Sequence, residues 1–255
     1  MKKVVFIPLV AFIAFVSCKN EPSEPKIVET VKDLALADIT IEESTPEYLY
    51  VLANSGLTLR EFNNLNSEKL AKMPYGTKVK VITPETKNTM TLGGINGGMH
   101  EIEFNHKKGF AFNGYLSKFF PPELDSNAKG YAEELSEFYP KVVYSESVGG
   151  AASKPINTET LLLPTQNWHE AFFIAQRLFD FPKYFDFPNP KGKEEQIVYG
   201  KNSAKDIWVN QLQITRKDNS LVKIEYVYKT KKFGYTVTIS KVDTTMKIEK
   251  SETVE

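Results

Sequence analysis

The chain has 255 residues, with 32 Lys and Arg against 32 Asp and Glu, 41% apolar residues, 12% aromatic residues and one cysteine. That balance excludes a disordered tail, a collagen-like repeat and a disulfide scaffold. Zero net charge also removes the broad basic field on which sequence-independent nucleic-acid binding depends, so nucleic acid is not an expected partner.

The chain begins with Lys2 and Lys3, continues through an apolar run over residues 4–16, and reaches Ser17 and Cys18. A charged start followed by a short apolar run is the pattern of a secretory signal. The run falls short of the ~20 residues a membrane-spanning helix needs. Phe15-Val16-Ser17-Cys18 resembles a bacterial lipobox, although Phe15 stands where Leu is usual. The resemblance implies a lipoprotein signal peptide over residues 1–17, and diacylglyceryl and palmitate-type chains on Cys18. The membrane then becomes a partner through the N-terminal lipid. A lone cysteine agrees, since in an oxidising envelope it would otherwise be a reactive thiol. Lys19, where Asp would favour the inner membrane, points to the outer membrane of a Gram-negative cell envelope. Without residues 1–17 the chain keeps 30 basic and 32 acidic residues, a net charge of −2.

Residues 18–47 read as an acidic tether: residues 19–47 hold three Lys against eight acids, with Pro22, Pro25 and Pro46. Low hydropathy with net charge keeps such a segment solvated. Residues 48–122 then show short apolar pairs, Leu57/Leu59, Val79/Val81, Ile102/Phe104 and Phe110/Phe112, separated by Asn54-Ser55-Gly56, Tyr75-Gly76 and a glycine-rich stretch at 93–98. Alternation broken by turn residues predicts a small all-β barrel.

Three pieces in order carry a further resemblance: Ser55-Gly56-Leu57-Thr58-Leu59-Arg60, then Leu70-Ala71 leading to Tyr75-Gly76-Thr77-Lys78-Val79-Lys80-Val81, then Lys108-Gly109-Phe110-Ala111-Phe112 with Gly114-Tyr115-Leu116-Ser117. Over about 70 residues this resembles the bacterial Src-homology-3-like (SH3-like) domain. Met99-His100-Glu101 and Phe110 stand where that family commonly has Trp. The resemblance implies a non-catalytic module that binds peptidoglycan or a protein peptide, or a scaffold beside a small-ligand or enzymatic domain. A peptide groove would use rigid rings and a carboxylate partner. Phe62, Tyr75, Phe110 and Tyr115, with Arg60, are the candidate ligand-binding residues.

Over residues 123–255 the period lengthens. Trp168, Ala171, Phe172, Ala175, Leu178 and Phe179 form one helical stripe, and Asn167 with Glu170 suggests a capping box. Beyond it the period drops to two, over Leu212/Ile214, Val222 to Tyr228, Phe233 to Ile239 and Met246/Ile248, with turn residues at Asp218-Asn219 and Asp243-Thr244. An α+β domain is expected, one helix packed on an antiparallel β-meander of about four strands. The predicted architecture is thus two domains, an SH3-like barrel followed by this α+β domain.

Catalytic patterns are not found in the sequence. Serine-elbow, Walker and dinucleotide glycine motifs are missing. Cys18 is spoken for by lipid, so no thiol nucleophile remains. On one continuous strand His100 and His106 would stand roughly 20 Å apart, too far to share a metal. His169 opens the helix, where an acidic ligand is conceivable and a surface histidine beside a cap is the simpler reading. Glu133-Glu134 and Glu194-Glu195 read as charged surface. No enzyme activity, cofactor or metal is expected. Asp-Phe-Pro occurs twice, at 180–182 and 186–188, in an aromatic span that proline keeps out of helix. Folded over the sheet it would bury its rings, and left exposed it would be a partner site.

Overall fold

The structure is a computed structural model and describes residues 47–151, 154–201 and 205–254. The expected signal peptide, Cys18 and, but for Glu47, the acidic tether lie outside the described residues. The described chain belongs to one compact unit.

Its first half supplies β1 (Tyr48–Val51), β2 (Leu57–Arg60), β3 (Lys69–Met73), β4 (Lys78–Thr83), β5 (Met90–Leu92), β6 (Ile95–Gly97), β7 (Met99–Phe104), β8 (Lys107–Phe112) and β9 (Leu116–Ser117). Seven of these form an antiparallel sheet in the order β3-β2-β8-β7-β4-β1-β9, and β5 and β6 make a separate hairpin. Alternation does what the sequence suggests: Leu49, Val51, Leu57, Leu59, Val79 and Ile102 all turn inward and are buried. Asn105 and His106 both adopt positive φ in the two-residue turn between β7 and β8, which matches the strand twist. His106 therefore sits in a turn and not on the strand that carries His100.

The sheet does not close. β3 pairs only with β2, and β9, two residues long, pairs only with β1. The expected SH3-like barrel is thus corrected to an open sheet. Period-two alternation fixes which face is buried and says nothing of closure, which needs the two edge strands to pair. Here the buried face is covered by the rest of the chain, and the apolar core runs without a break from Leu49 to Ile248.

The second half supplies α1 (Ala128–Ser136), β10 (Val143–Ala151), β11 (Lys154–Leu163), α2 (Trp168–Leu178), β12 (Glu195–Tyr199), β13 (Ile207–Lys217), β14 (Ser220–Thr230), β15 (Phe233–Val242) and β16 (Thr245–Val254). The expected four-strand α+β meander is corrected as well, to a seven-stranded antiparallel sheet in the order β10-β11-β16-β15-β14-β13-β12. The last four strands follow the predicted meander, with Asp218, Asn219 and Asp243 at positive φ in their turns. The addition is a hairpin, β10 and β11, that joins through Leu161↔Ile248 and Leu163↔Met246, together with the edge strand β12. α2 lies on β15 and β16 and buries Ala171, Phe172 and Ala175, as its stripe requires. Each large ring so buried contributes roughly 1.5–3 kcal/mol. α1 rests on β10 and β11, and its N-cap Asn127 accepts from the Gly130 amide at 2.8 Å.

Candidate functional site

Hydrogen bonds join the two halves at the start of α2 and again in its last turns. At the start Glu170, 4% exposed, receives the Ser117 hydroxyl of β9 at 2.6 Å, the Asn167 side-chain amide at 3.2 Å and the hydroxyl of Thr165. The capping box is therefore altered: the Asn167 side chain donates to Glu170 and caps no helix amide. The carboxylate stands in the first helical turn, where negative charge is favoured. Burial lowers the His169 pKa, with Glu170 pulling the other way.

In the last turns the sheets separate and leave a cleft of about 570 Å³. One wall comes from the first sheet: the turn over residues 53–58, Arg60, the tip of the β5–β6 hairpin at Leu92-Gly93, and Tyr115. The other comes from Phe173 and Gln176 of α2 and from Lys183, Phe185, Asp186 and Phe187 of the doubled Asp-Phe-Pro segment. That segment buries Phe181, Phe185 and Phe187, with Phe181 stacked on Tyr226 at 5.1 Å. Gln176 clamps it by donating to the Pro182 and Phe185 carbonyls at 3.1 and 2.8 Å. So the three phenylalanine rings pack into the core, with Phe185 and Phe187 also reaching the cleft wall, and Lys183 and Asp186 add one cation and one anion to that wall.

Each wall is positioned by a specific contact. Gly93 has a φ of +57°, and a Cβ there would come within 2.5 Å of the Tyr115 hydroxyl, so only glycine lets the hairpin tip reach that ring. Tyr115 packs edge-on to Phe112 at 5.6 Å and against Phe173 at 6.0 Å. Burial, and then the Asp186 charge, raise its pKa. Arg60 is held by an Nη1 bond to the Ser67 carbonyl at 2.9 Å. The Lys183 pKa is lowered by burial and by the nearby Arg177. Asn54 donates to Gln176 across the seam at 3.4 Å, and its own Oδ1 is buried without a partner.

The five candidate residues do not form one groove. Arg60 and Tyr115 line the cleft. Tyr75 lies outside the cleft, its hydroxyl donating to the Pro122 carbonyl at 3.1 Å and the Arg177 guanidinium 3.8 Å over its ring. Burial raises its pKa to about 12 against the opposing Arg177 charge. Phe62 is 56% exposed, and Phe110 packs half-buried against the core opposite Arg60. Lys183, Asp186 and Gln176 are cleft-lining positions that the sequence pattern does not reveal. The repeated Asp-Phe-Pro was the one pointer to them.

Among the described residues no group of three His, Cys, Asp or Glu side chains converges as a metal site. His100 uses Nδ1 to accept the Glu85 amide at 2.8 Å. Comparisons with protein families, with curated proteins and with solved structures find no match to the chain.

Proposed function

We propose that the protein is a non-catalytic, lipid-anchored protein of the cell envelope, held through Cys18 at the outer membrane of a Gram-negative bacterium, that binds a short peptide in the cleft between its sheets. The peptide belongs to peptidoglycan or to an envelope protein. The observation that carries this reading is the composition of the cleft walls. Arg60 and Lys183 offer cations, Asp186 offers an anion, and Tyr115 and Phe173 offer ring faces, in a volume suited to a small ligand. A peptide brings carboxylate, ammonium and apolar groups together, and these walls answer each of them.

The test is co-sedimentation of the protein with purified sacculi, and titration with a free stem peptide, for the wild type beside Arg60→Ala, Lys183→Ala and Asp186→Asn. Retention of the wild type and weaker retention of all three variants supports the reading. Wild-type protein that stays in the supernatant and gives no titration signal with stem peptide or with an envelope-protein peptide library overturns it. The anchor is tested separately by fatty-acid labelling, where a wild type as unlabelled as Cys18→Ser would refute lipidation.

A further inference from the structure

Beside Arg177, in the last turn of α2, lies a second concavity of about 750 Å³, between β1, the Tyr75-Gly76 turn, the segment 120–126 and α1. Its floor is aromatic: Tyr50 meets Phe120 edge-on at 6.4 Å, Phe120 meets Tyr131 at 5.7 Å, and Tyr75 closes one end. Pro121 and Pro122 have no amide to donate, so at these two positions the wall offers ring methylenes and carbonyls only. Two of the largest exposed apolar side chains adjoin it: Leu124, 75% exposed, lines it, and Phe138, 70% exposed, packs on Phe120 at 6.3 Å.

The rim is acidic. Glu123, Asp125 and Glu134 line the concavity, and residues 123–137 hold five carboxylates against one lysine. Among the described residues no ion pair joins Glu123, Asp125, Glu133, Glu134 or Glu137 to a cation. Three of them, Glu133, Glu134 and Glu137, crowd the C-terminal end of α1, which has no basic residue in its last turn. Carboxylates at the negative end of a helix dipole are unfavourable for the free protein. The floor rings already receive cations from the chain itself, Arg177 over Tyr75 at 3.8 Å and Lys78 over Tyr50 at 5.9 Å.

We propose that this concavity is a second binding site, independent of the cleft, and that it docks an extended lysine- or arginine-bearing segment of another protein. The aromatic floor and the two exposed apolar side chains take the segment's apolar residues and side-chain stems, and the unpaired rim carboxylates take its charged ends.

The experiment is fluorescence anisotropy on the full chain with a labelled peptide of alternating lysine and leucine, beside the same peptide carrying glutamate in place of lysine. Two variants accompany the wild type: Glu123→Gln with Asp125→Asn and Glu134→Gln, and Leu124→Ser with Phe138→Ser. All five positions are exposed, so the fold is retained. Saturable binding of the lysine peptide alone, weakened about tenfold by each variant and unchanged by Arg60→Ala, is the expected result. Loss in the carboxamide variant without loss in the serine variant would mean diffuse attraction and overturn the proposal. Unchanged binding in the carboxamide variant, or no saturable binding by the wild type, would overturn it too. Arg60→Ala keeps the two sites distinguishable, because it removes cleft binding alone.

Discussion

The two ends of the seam along α2 are built differently. At the helix start a buried carboxylate accepts from three donors that come from both sides of the joint. In the last turns the Asn54–Gln176 hydrogen bond is long, at 3.4 Å, the Asn54 side-chain oxygen has no partner among the described residues, and about 570 Å³ stays unfilled. Where every polar group is satisfied the contact holds one geometry. Where it is not, the sheets leave room for something else. Strength at one end permits openness at the other, because the joint does not have to be held along its whole length.

That contrast can be broken by substitution. The largest effect is expected at the closed end: Glu170→Ala leaves the Ser117, Thr165 and Asn167 donors without their acceptor and should cost about 2–3 kcal/mol in denaturant unfolding. Next comes Gln176→Ala, which releases the Pro182 and Phe185 carbonyls. A loss of about 1–2 kcal/mol is expected, together with weaker peptide binding, since the Lys183 and Asp186 wall is no longer clamped.

Acid should act on the closed end as well. Burial lowers the folded-state pKa of His169 and of His100 below the ordinary 6.5. The unfolded chain therefore takes up protons first as pH falls through 6.5. The stabilisation is complete above that pH and is lost as pH drops toward the lower folded values. Unfolding of wild type and His169→Gln measured above and below pH 6.5 should show a shallower acid slope in the variant. The smallest effect is expected at the open end, where Asn54→Ala removes a long bond and an unpaired oxygen together and should change stability by no more than about 0.5 kcal/mol. A larger loss there would mean that the open end is as tightly coupled as the closed one.

The sequence made the parts with local signals legible. α2 follows from its stripe, and β13 to β16 follow from period-two runs with Asp218-Asn219 and Asp243-Thr244 between them. The β10–β11 hairpin carries no such signal. Its Ser-Glu-Ser-Val-Gly-Gly and Asn-Thr-Glu-Thr stretches show little apolar alternation, and the strand that holds it, β16, pairs Leu161 with Ile248 across most of the second half of the chain. The open form of the first sheet is illegible for a related reason, since strand runs identify a buried face and not the layer that buries it. Of the residues that line the cleft, Arg60 and Tyr115 are legible in the sequence as a cation and a ring near turns. Their partners Lys183 and Asp186 are not, because only the folding of the Asp-Phe-Pro segment against α2 brings residues so far apart in sequence to one cavity. Tyr75 reads in the sequence as a groove residue of the first sheet, and it lines the acidic concavity beside Arg177.

The chain enters the first sheet through β1, which runs between β4 and β9 and exchanges backbone bonds with both. Any pull transmitted along residues 1–46 therefore arrives at a strand held on two sides. It is resisted by several hydrogen bonds loaded in shear at once, beginning with the Val81 amide on the Glu47 carbonyl at 2.9 Å. A strand at the sheet edge would peel away one bond at a time under the same load. The position of β1 lets the described unit bear a load applied at its N-terminal end without unzipping bond by bond.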